Sequence, residues 1–207
     1  QQLVDGRRIT DAETLKIVTM VYAGYVNKNI VAQLQANNCN AMGLCGADGD
    51  AILAHKRQHP IIDYGYVGDV DAINSHLLTT LLDQNIAVVF APITHDQQGQ
   101  LLNTNADTIA SALAVALSTQ YDVRLIYCFE KKGVLENIED ELSVIQLINK
   151  EKYQQLLEDK KLADGILPKI DNAFAAIDNG VQEVLIGHAD DLLQNITVDT
   201  KGTLIKA

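Results

Sequence analysis

Two helix starts that are rich in short polar residues give this chain a means of binding an anion. Residues 103–107 (NTNAD) precede one apolar helix, and residues 164–169 (DGILPK) open another. The N-terminus of a helix carries unpaired N–H groups and about half a positive charge, so it attracts negatively charged groups. If the two helix starts face one point, with Lys169 beside them, they would hold a phosphate or a carboxylate.

The charge balance limits the partners of the chain. Its 207 residues carry a net charge of −11, and the 16 lysines and arginines form no basic block. Nucleic acid is bound through clustered lysine and arginine, so we expect no nucleic-acid partner. The same negative field repels phosphates at long range, so a nucleotide would require local cations, namely lysine, arginine and bound Mg²⁺.

Length and composition predict one globular domain with no membrane partner. No apolar run approaches the roughly 18 to 20 residues that a membrane span requires, and the first residues lack the pattern of a signal peptide. We therefore expect a cytoplasmic protein. Cys39, Cys45 and Cys128 are odd in number and widely spaced, which predicts reduced, buried thiols rather than disulfides or a zinc site.

Helical and strand-like patterns alternate along the chain, which predicts an α/β fold with parallel strands. A capping box at residues 10–13 (TDAE) opens a long amphipathic helix that extends to about residue 37. The unbroken apolar run at residues 86–91 predicts a central strand that is covered on both faces. We place further strands at residues 41–44, 51–54, 123–129, 183–186 and 202–205, and further helices at residues 69–85, 107–118, 149–157 and 168–179.

Several other kinds of site are not indicated. The turn at residues 46–50 (GADGD) lacks the acidic spacing of a calcium loop, and we interpret it as a hairpin between two strands. The five histidines form no zinc-binding pair, and no serine lies in a nucleophile elbow. The sequence therefore favours neither a metal hydrolase nor an acyl-enzyme mechanism.

Four motifs, taken in order, resemble the acetylglutamate kinases of the amino acid kinase family. They are residues 5–10 (DGRRIT), 43–49 (GLCGADG), 103–107 and 164–169. The resemblance runs from Val4 to the C-terminus and implies a three-layer αβα sandwich around a mainly parallel sheet. The family's preceding segment, with a lysine-glycine-glycine strand end and a glycine-rich loop, has no counterpart here. We therefore expect a domain without its N-terminal part, with weak turnover or none as given.

The resemblance implies a reaction and a division of the chain. ATP, with Mg²⁺, would transfer its γ-phosphoryl group to the side-chain carboxylate of an N-acylglutamate, N-acetylglutamate by default, and form an acyl phosphate on the route to arginine. Roughly residues 1–100 would bind the acyl amino acid, and residues 101–207 would bind the nucleotide. Members of the family are commonly homodimers or larger homo-oligomers, and the long helix after Thr10 has an apolar face that suits such a contact.

The resemblance also implies roles for individual residues. Arg8 matches the arginine that holds the α-carboxylate of the substrate, for which a planar guanidinium is suited. Asn103 and Asn105 match a pair that hydrogen-bonds the substrate. Lys169 matches the lysine that stabilises the transferred phosphoryl group, and Asp107 matches the carboxylate that orders the catalytic lysines. The resemblance implies no protein side chain as a metal ligand.

The nucleotide region departs in part from the family. The family has a small hydroxyl residue and an aspartate after the strand that ends here, whereas this chain has residues 128–132 (CFEKK). The implied contacts to the nucleotide are the adenosine-binding turn, formed by Gly133, Val134 and Leu135, and the segment that closes over the nucleotide, formed by Lys161, Leu162 and Ala163.

The residues alone leave alternatives open. Arg8 is equally compatible with a solvated arginine beside a helix start, and the asparagines with an N-cap cluster. Asp107 suits the first turn of any helix, and Lys169 could be an exposed lysine after a helix-starting proline. The functional alternatives are an N-succinylglutamate kinase, a related kinase for aspartate, glutamate, carbamate or a nucleoside monophosphate, and a non-catalytic ligand-binding homologue.

Overall fold

The computed structural model describes residues 3–4, 7–137, 139–159, 162, 165–197 and 199–207, with only the backbone described at residues 3, 4, 7 and 8. Helices and strands alternate along the chain, and both of its four-stranded sheets contain parallel pairs. The predicted α/β class is therefore confirmed. The chain divides into two compact units, Gln1–Ile109 (unit 1) and Ala110–Ala207 (unit 2), which are described in turn.

Unit 1 begins with two short strands and one long helical stretch. Strands β1 (Leu3–Val4) and β2 (Arg7–Arg8) pair antiparallel. The predicted long helix is confirmed as α1 (Ala12–Val18), a π-helical segment (Thr19–Val26) and α2 (Asn27–Ala36). Its N-cap is Asp11, whose carboxylate accepts the Thr14 N–H at 2.7 Å, and not Thr10 as the capping box predicted. Within the described residues, no helix has the length and apolar composition to cross a membrane.

Two sheets complete unit 1. Strands β3 (Ala41–Leu44) and β6 (Ala87–Phe90) pair parallel. The second sheet has the strand order β5-β4-β7-β8, in which β4 pairs parallel with β7 and the outer pairs are antiparallel. Its strands are β4 (Ile52–Lys56), β5 (Gly68–Ile73), β7 (Ile93–His95) and β8 (Leu101–Asn103), and helix α3 (Ser75–Asp83) lies between β5 and β6 along the chain.

The hairpin predicted at residues 46–50 is wrong. Strand β3 before this turn and strand β4 after it lie in different sheets, so the turn carries the chain from one sheet to the other. The Gly46 N–H donates to the Ile93 carbonyl at 2.7 Å, and a β-carbon at Gly46 would lie 2.8 Å from the Thr94 Cα. The turn is therefore packed tightly against β7, where only glycine fits.

The helix predicted to start at residues 69–71 is also wrong in its first part. These residues lie in β5, and α3 begins later, with Asn74 as its N-cap. The aspartates that resembled a cap instead contact side chains of the neighbouring β4 segment. Asp69 forms an ion pair with Arg57, whose Nε lies 3.0 Å from each of its carboxylate oxygens, and the Asp71 Oδ1 lies 2.6 Å from the His55 Nδ1. Cross-strand side-chain pairs thus replace helix capping here.

Two burial predictions are corrected. The strand predicted at residues 86–91 is present as β6, but among the described residues β3 is its only paired strand, and its four residues are half-buried. Its central position is therefore not observed. The three cysteines are free, as predicted, but none is buried: Cys39 and Cys45 are half-buried and Cys128 is exposed.

Helix α4 (Ala106–Leu117) starts at the end of unit 1 and continues into unit 2, whose sheet has the strand order β10-β12-β11-β9. The apolar core of unit 2 contains the fully buried Ile148, Ile170 and Ile205, and the helices and strands predicted here are confirmed. The elements of unit 2 that follow α4 are β9 (Arg124–Phe129), β10 (Leu147–Ile148), α5 (Lys150–Glu158), α6 (Leu167–Asp178), β11 (Glu183–His188), α7 (Leu192–Asn195) and β12 (Thr203–Ile205), of which β10 and α7 were not predicted.

A buried carboxylate joins the C-terminal end of the chain to the sheet of unit 2. The side chain of Glu183 on β11 is 8% exposed and forms ion pairs with Arg124 on β9 and, at 2.9 Å, with the Lys206 Nζ. Burial raises the pKa of this carboxyl, but the bonds from Lys206 and Arg124 outweigh it, so the pKa is lowered overall. The carboxylate is therefore stabilised in its charged form.

We expect Glu183→Gln to lower the free energy of unfolding by about 2 kcal/mol at pH 7, because the charge-assisted bonds are lost. Since the folded pKa lies below the unfolded value, the contribution of Glu183 is complete above about pH 4.3 and is lost as the pH falls through the folded pKa. Urea titrations of both proteins from pH 7 to pH 3 should therefore converge at low pH. The exposed Glu141→Gln serves as the control, and a pH-independent difference for Glu183→Gln would contradict the assignment.

Candidate substrate site

Three segments of unit 1 meet at Thr10, which is fully buried. Its N–H donates to the Tyr64 carbonyl at 3.0 Å, and its carbonyl accepts the Tyr66 N–H at 2.7 Å. Its hydroxyl oxygen accepts a hydrogen bond from the Asn103 Nδ2 at 3.0 Å. Thr10 therefore connects the strand that carries Arg8 to the end of β8, which carries Asn103.

The close contact between these segments at Thr10 requires Gly65. Its φ is +70°, and a β-carbon there would lie 2.1 Å from the Thr10 carbonyl oxygen. Both the left-handed backbone and the close approach require glycine. The backbone on either side of Gly65 thus pairs with Thr10, and Tyr66 also accepts the Asn103 N–H at 2.8 Å.

The structure gives the two predicted substrate-binding asparagines different surroundings. Asn103 is half-buried, and its side chain is held by Thr10. Asn105 is exposed, and its Oδ1 accepts the Thr108 N–H at 3.0 Å at the start of α4. Asn105 is therefore an N-cap, which was the alternative interpretation for this pair.

Thr104, the residue between the two asparagines, is held in place by hydrogen bonds. Thr104 is buried, and its hydroxyl lies 2.8 Å from the Thr94 hydroxyl and 3.3 Å from the Gly68 carbonyl oxygen. Its N–H donates to the Pro92 carbonyl at 3.1 Å. Asp107 follows in the first turn of α4 and is half-buried. Thr104 is thus fixed directly after Asn103 through both its side chain and its backbone.

Arg8 lies in β2, opposite Leu3, two residues before Thr10. The backbone connection therefore brings the segment of Arg8 and the side chain of Asn103 to one place in unit 1. The contacts of the Arg8 guanidinium lie outside the described part of the chain, so its role remains a prediction.

Lys169 lies in the first turn of α6, whose N-cap is the apolar Ile166 and whose second residue is Pro168. The half-buried Lys169 side chain approaches two aromatic rings of β9, with its Nζ 5.4 Å from the centre of the Tyr127 ring and 5.6 Å from that of Phe129. Aromatic faces attract cations without neutralising them. Lys169 thus lies beside two aromatic rings at the start of α6.

The predicted adenosine-binding turn is built into the core of unit 2. The Val134 side chain is 2% exposed, and its N–H donates to the Thr203 hydroxyl oxygen at 2.7 Å. A β-carbon at Gly133 would lie 2.7 Å from that same oxygen. Leu135 forms an isolated antiparallel bridge with Val144. The buried packing and glycine requirement of this turn are explained by unit 2 itself, so contacts to a nucleotide stay a prediction.

The segment predicted to close over the nucleotide is described only in part. Leu162 is half-buried and packs against the apolar core of unit 2. Lys161 and Ala163 lie outside the described residues. Asp107 belongs to unit 1 and Lys169 to unit 2, and their meeting in one site stays a prediction.

The profile of the amino acid kinase family matches residues 1–188. The chain belongs to the amino acid kinase family. Among its relatives, it is 55% identical over 207 residues to an acetylglutamate kinase of Cytophaga hutchinsonii, with 97% of this chain and 78% of that protein covered. It is 37% identical over 209 residues to an acetylglutamate kinase of Methanopyrus kandleri, with 99% and 82% covered.

Solved structures support the same fold. The structure of smu.665 from Streptococcus mutans superposes with a TM-score of 0.79 at 30% identity and covers 100% of this chain and 77% of that one. The N-acetylglutamate synthase of Neisseria gonorrhoeae superposes with a TM-score of 0.85 at 24% identity, over 100% of this chain and 46% of that one. The amino acid kinase-like α/β fold that the motifs predicted is confirmed.

Sequence reasoning missed four residues that contact the predicted site residues or their segments within each unit. Thr10 was interpreted as a helix cap, and the rings of Tyr127 and Phe129 were interpreted only as parts of a strand. Gly65 had one available signal, because a lone glycine between two tyrosines at the edge of a strand pattern indicates a close backbone approach.

We expect Asn105→Ala to lower the free energy of unfolding by about 1 kcal/mol, because it removes the cap of α4, whereas Asn105→Ser should retain stability to within a few tenths of a kcal/mol. Urea unfolding of the three proteins measures this. Asn74→Ala, which removes the matching cap of α3, should cost a similar amount. Equal loss of stability in the serine and alanine variants of Asn105 would contradict a capping role.

Proposed function

We propose that this chain is an N-acylglutamate kinase that transfers the γ-phosphoryl group of ATP to the side-chain carboxylate of N-acetylglutamate. The observation that carries this proposal is the 55% identity to an acetylglutamate kinase along nearly the whole chain. The junction at Thr10 supports it, because it holds the segment of Arg8 close to Asn103 within one compact unit. The products are ADP and an acyl phosphate, and we place the reaction in the cytoplasm, in arginine biosynthesis.

Unit 1 would bind the acceptor. An N-acetylglutamate carries two carboxylates, and a chain with a net charge of −11 must hold them with few cations. Arg8 would bind the α-carboxylate bidentately, and the carboxamide of Asn103 would donate a further hydrogen bond without adding charge. The Asn105 Oδ1 accepts the Thr108 N–H and so caps α4, and we therefore assign only the Nδ2 N–H groups of Asn105 to the substrate.

Unit 2 would bind the nucleotide. Gly133, Val134 and Leu135 would contact the adenosine, with Lys161, Leu162 and Ala163 closing over it. Lys169 would stabilise the charge on the transferred phosphoryl group from the start of α6. The unpaired backbone N–H groups of this helix start would point toward the same phosphoryl group. Asp107 would order the catalytic lysines. Most of the rate would then come from positioning and charge neutralisation, as is general for phosphoryl transfer.

Mg²⁺ would accompany ATP. Within the described residues no three histidine, cysteine, aspartate or glutamate side chains cluster to form a metal cage. Mg²⁺ at kinase sites is bound largely by phosphate oxygens and water, with one or two carboxylates at most. In such an arrangement the ion would neutralise phosphate charge.

We expect the full-length protein, given ATP and Mg²⁺, to phosphorylate N-acetylglutamate in preference to N-succinylglutamate, glutamate, aspartate, carbamate and nucleoside monophosphates. ADP release measures turnover, and hydroxamate formation detects the acyl phosphate. Lys169→Met should lower kcat about 100-fold or more, while Lys150→Met, on the surface of α5, should not. A clear preference for another acceptor, or binding of N-acetylglutamate without turnover, would overturn the proposal.

We further propose that the enzyme is a homodimer that pairs through its long helix. The π-helical segment Thr19–Val26 has no buried residue, and Tyr25 on it is 75% exposed. Residues 17–26 contain no charge although the chain is strongly acidic. A helix that is apolar on all sides is normally covered, and a second copy would present the same uncharged surface. The large apolar residues that are exposed on the long helix are Ile17, Met20, Val21, Tyr22, Tyr25, Val26 and Ile30.

We expect Tyr25→Glu combined with Met20→Glu to convert the dimer to a monomer, because two charges per copy would be buried at the contact. Light scattering after size-exclusion chromatography measures the mass. Leu193→Glu, at an 83% exposed position of α7, is the matched control and should remain dimeric. A wild-type protein that is monomeric at tens of micromolar would rule the proposal out.

A further inference from the structure

We propose that Thr10 is a positioning residue for acceptor binding, and that it acts by fixing the orientation of the Asn103 carboxamide. This inference rests on the proposed function and extends it to a residue that the motifs did not assign. Thr10 is fully buried, so it would not touch the substrate itself. Its influence would pass through the single hydrogen bond that its hydroxyl oxygen accepts from the Asn103 Nδ2 at 3.0 Å.

The chemistry of a carboxamide explains why its orientation matters. The carboxamide nitrogen carries two N–H donors, and the carboxamide oxygen is an acceptor. Rotation of the group by 180° exchanges the positions of the nitrogen and the oxygen. A carboxylate of the acceptor only accepts hydrogen bonds, so it is attracted by the N–H side and repelled by Oδ1. With one N–H held by Thr10, the second N–H of Asn103 remains for the ligand, and the orientation is set before binding.

The surroundings of Thr10 make this orientation rigid. Its two backbone hydrogen bonds, to Tyr64 and Tyr66, fix the position of the residue, and Tyr66 also accepts the Asn103 N–H at 2.8 Å. Thr10 and Asn103, which share the side-chain hydrogen bond, are thus both hydrogen-bonded to the backbone of residues 64–66. The approach depends on Gly65, where a β-carbon would lie 2.1 Å from the Thr10 carbonyl oxygen. A preorganised donor of this kind strengthens binding because no ordering cost remains.

The main test is a set of variants at Thr10 in the full-length protein, assayed with ATP and N-acetylglutamate. Thr10→Val preserves the shape and removes the acceptor. We expect it to raise KM for N-acetylglutamate about fivefold to tenfold, which corresponds to one lost hydrogen bond, with kcat changed less than twofold. Thr10→Ser keeps the hydroxyl and should restore KM to within twofold of the wild-type value.

A double-mutant cycle separates this role from a general effect on folding. In an Asn103→Ala background, Thr10→Val should change KM less than twofold, because the group through which it acts is absent. The matched control is Thr79→Val, since Thr79 is also a buried threonine of unit 1 but its hydroxyl donates to the His76 carbonyl. It should leave KM unchanged.

A measurement on the unaltered protein keeps the inference testable if Thr10→Val fails to fold. Without ligand, the two Nδ2 protons of Asn103 should give separate NMR signals, one of them protected from exchange with water, and added N-acetylglutamate should shift the other. Two rapidly exchanging protons, an unchanged KM in a folded Thr10→Val, or an equal effect in the Asn103→Ala background would overturn the inference. A wild-type protein that neither binds nor phosphorylates N-acetylglutamate would overturn the proposed function, and this inference with it.

Discussion

The structure of unit 1 depends on one close approach between two backbone segments. Thr10 and Gly65 are adjacent because no side chain stands between them, and a β-carbon at Gly65 would meet the Thr10 carbonyl oxygen at 2.1 Å. The long helix begins directly after Thr10, and β5 begins shortly after Gly65. The start of the helix, the entry to the sheet and the end of β8 are therefore held in one place by one contact.

The junction at Thr10 also bears on how a negatively charged chain can bind an anion. A chain with a net charge of −11 opposes the approach of a ligand with two carboxylates, and extra cations would have to come from few available residues. Neutral hydrogen-bond donors reduce the need for extra cations, since amides and hydroxyls bind an anion although they carry no positive charge. Buried hydroxyls at Thr10, Thr94 and Thr104 fix the polypeptide on both sides of Asn103. Under the proposed function, Arg8 and Lys169 would supply the positive charge.

Local patterns in the sequence predicted most elements, and long-range pairing explains where they failed. The helices at residues 107–118 and 168–179 follow from apolar spacing and helix-start residues, which are local properties. Asp69 and Asp71 look like cap residues for the same reason, yet their partners are His55 on β4 and Arg57 directly after it. The pair Asn103 and Asn105 was predicted as one unit, whereas the tertiary contact to Thr10 separates their roles. No local signal reports a partner 93 residues away.

The aromatic residues of β9 form part of the immediate surroundings of Lys169. The centre of the Tyr127 ring lies 5.4 Å from the Lys169 Nζ, and that of the Phe129 ring lies 5.6 Å from it. An aromatic face attracts the ammonium through its quadrupole but leaves the net charge of the site unchanged. The rings of Tyr127 and Phe129 thus pack against Lys169 at the start of α6, and under the proposed function this ammonium would stabilise the transferred phosphoryl group.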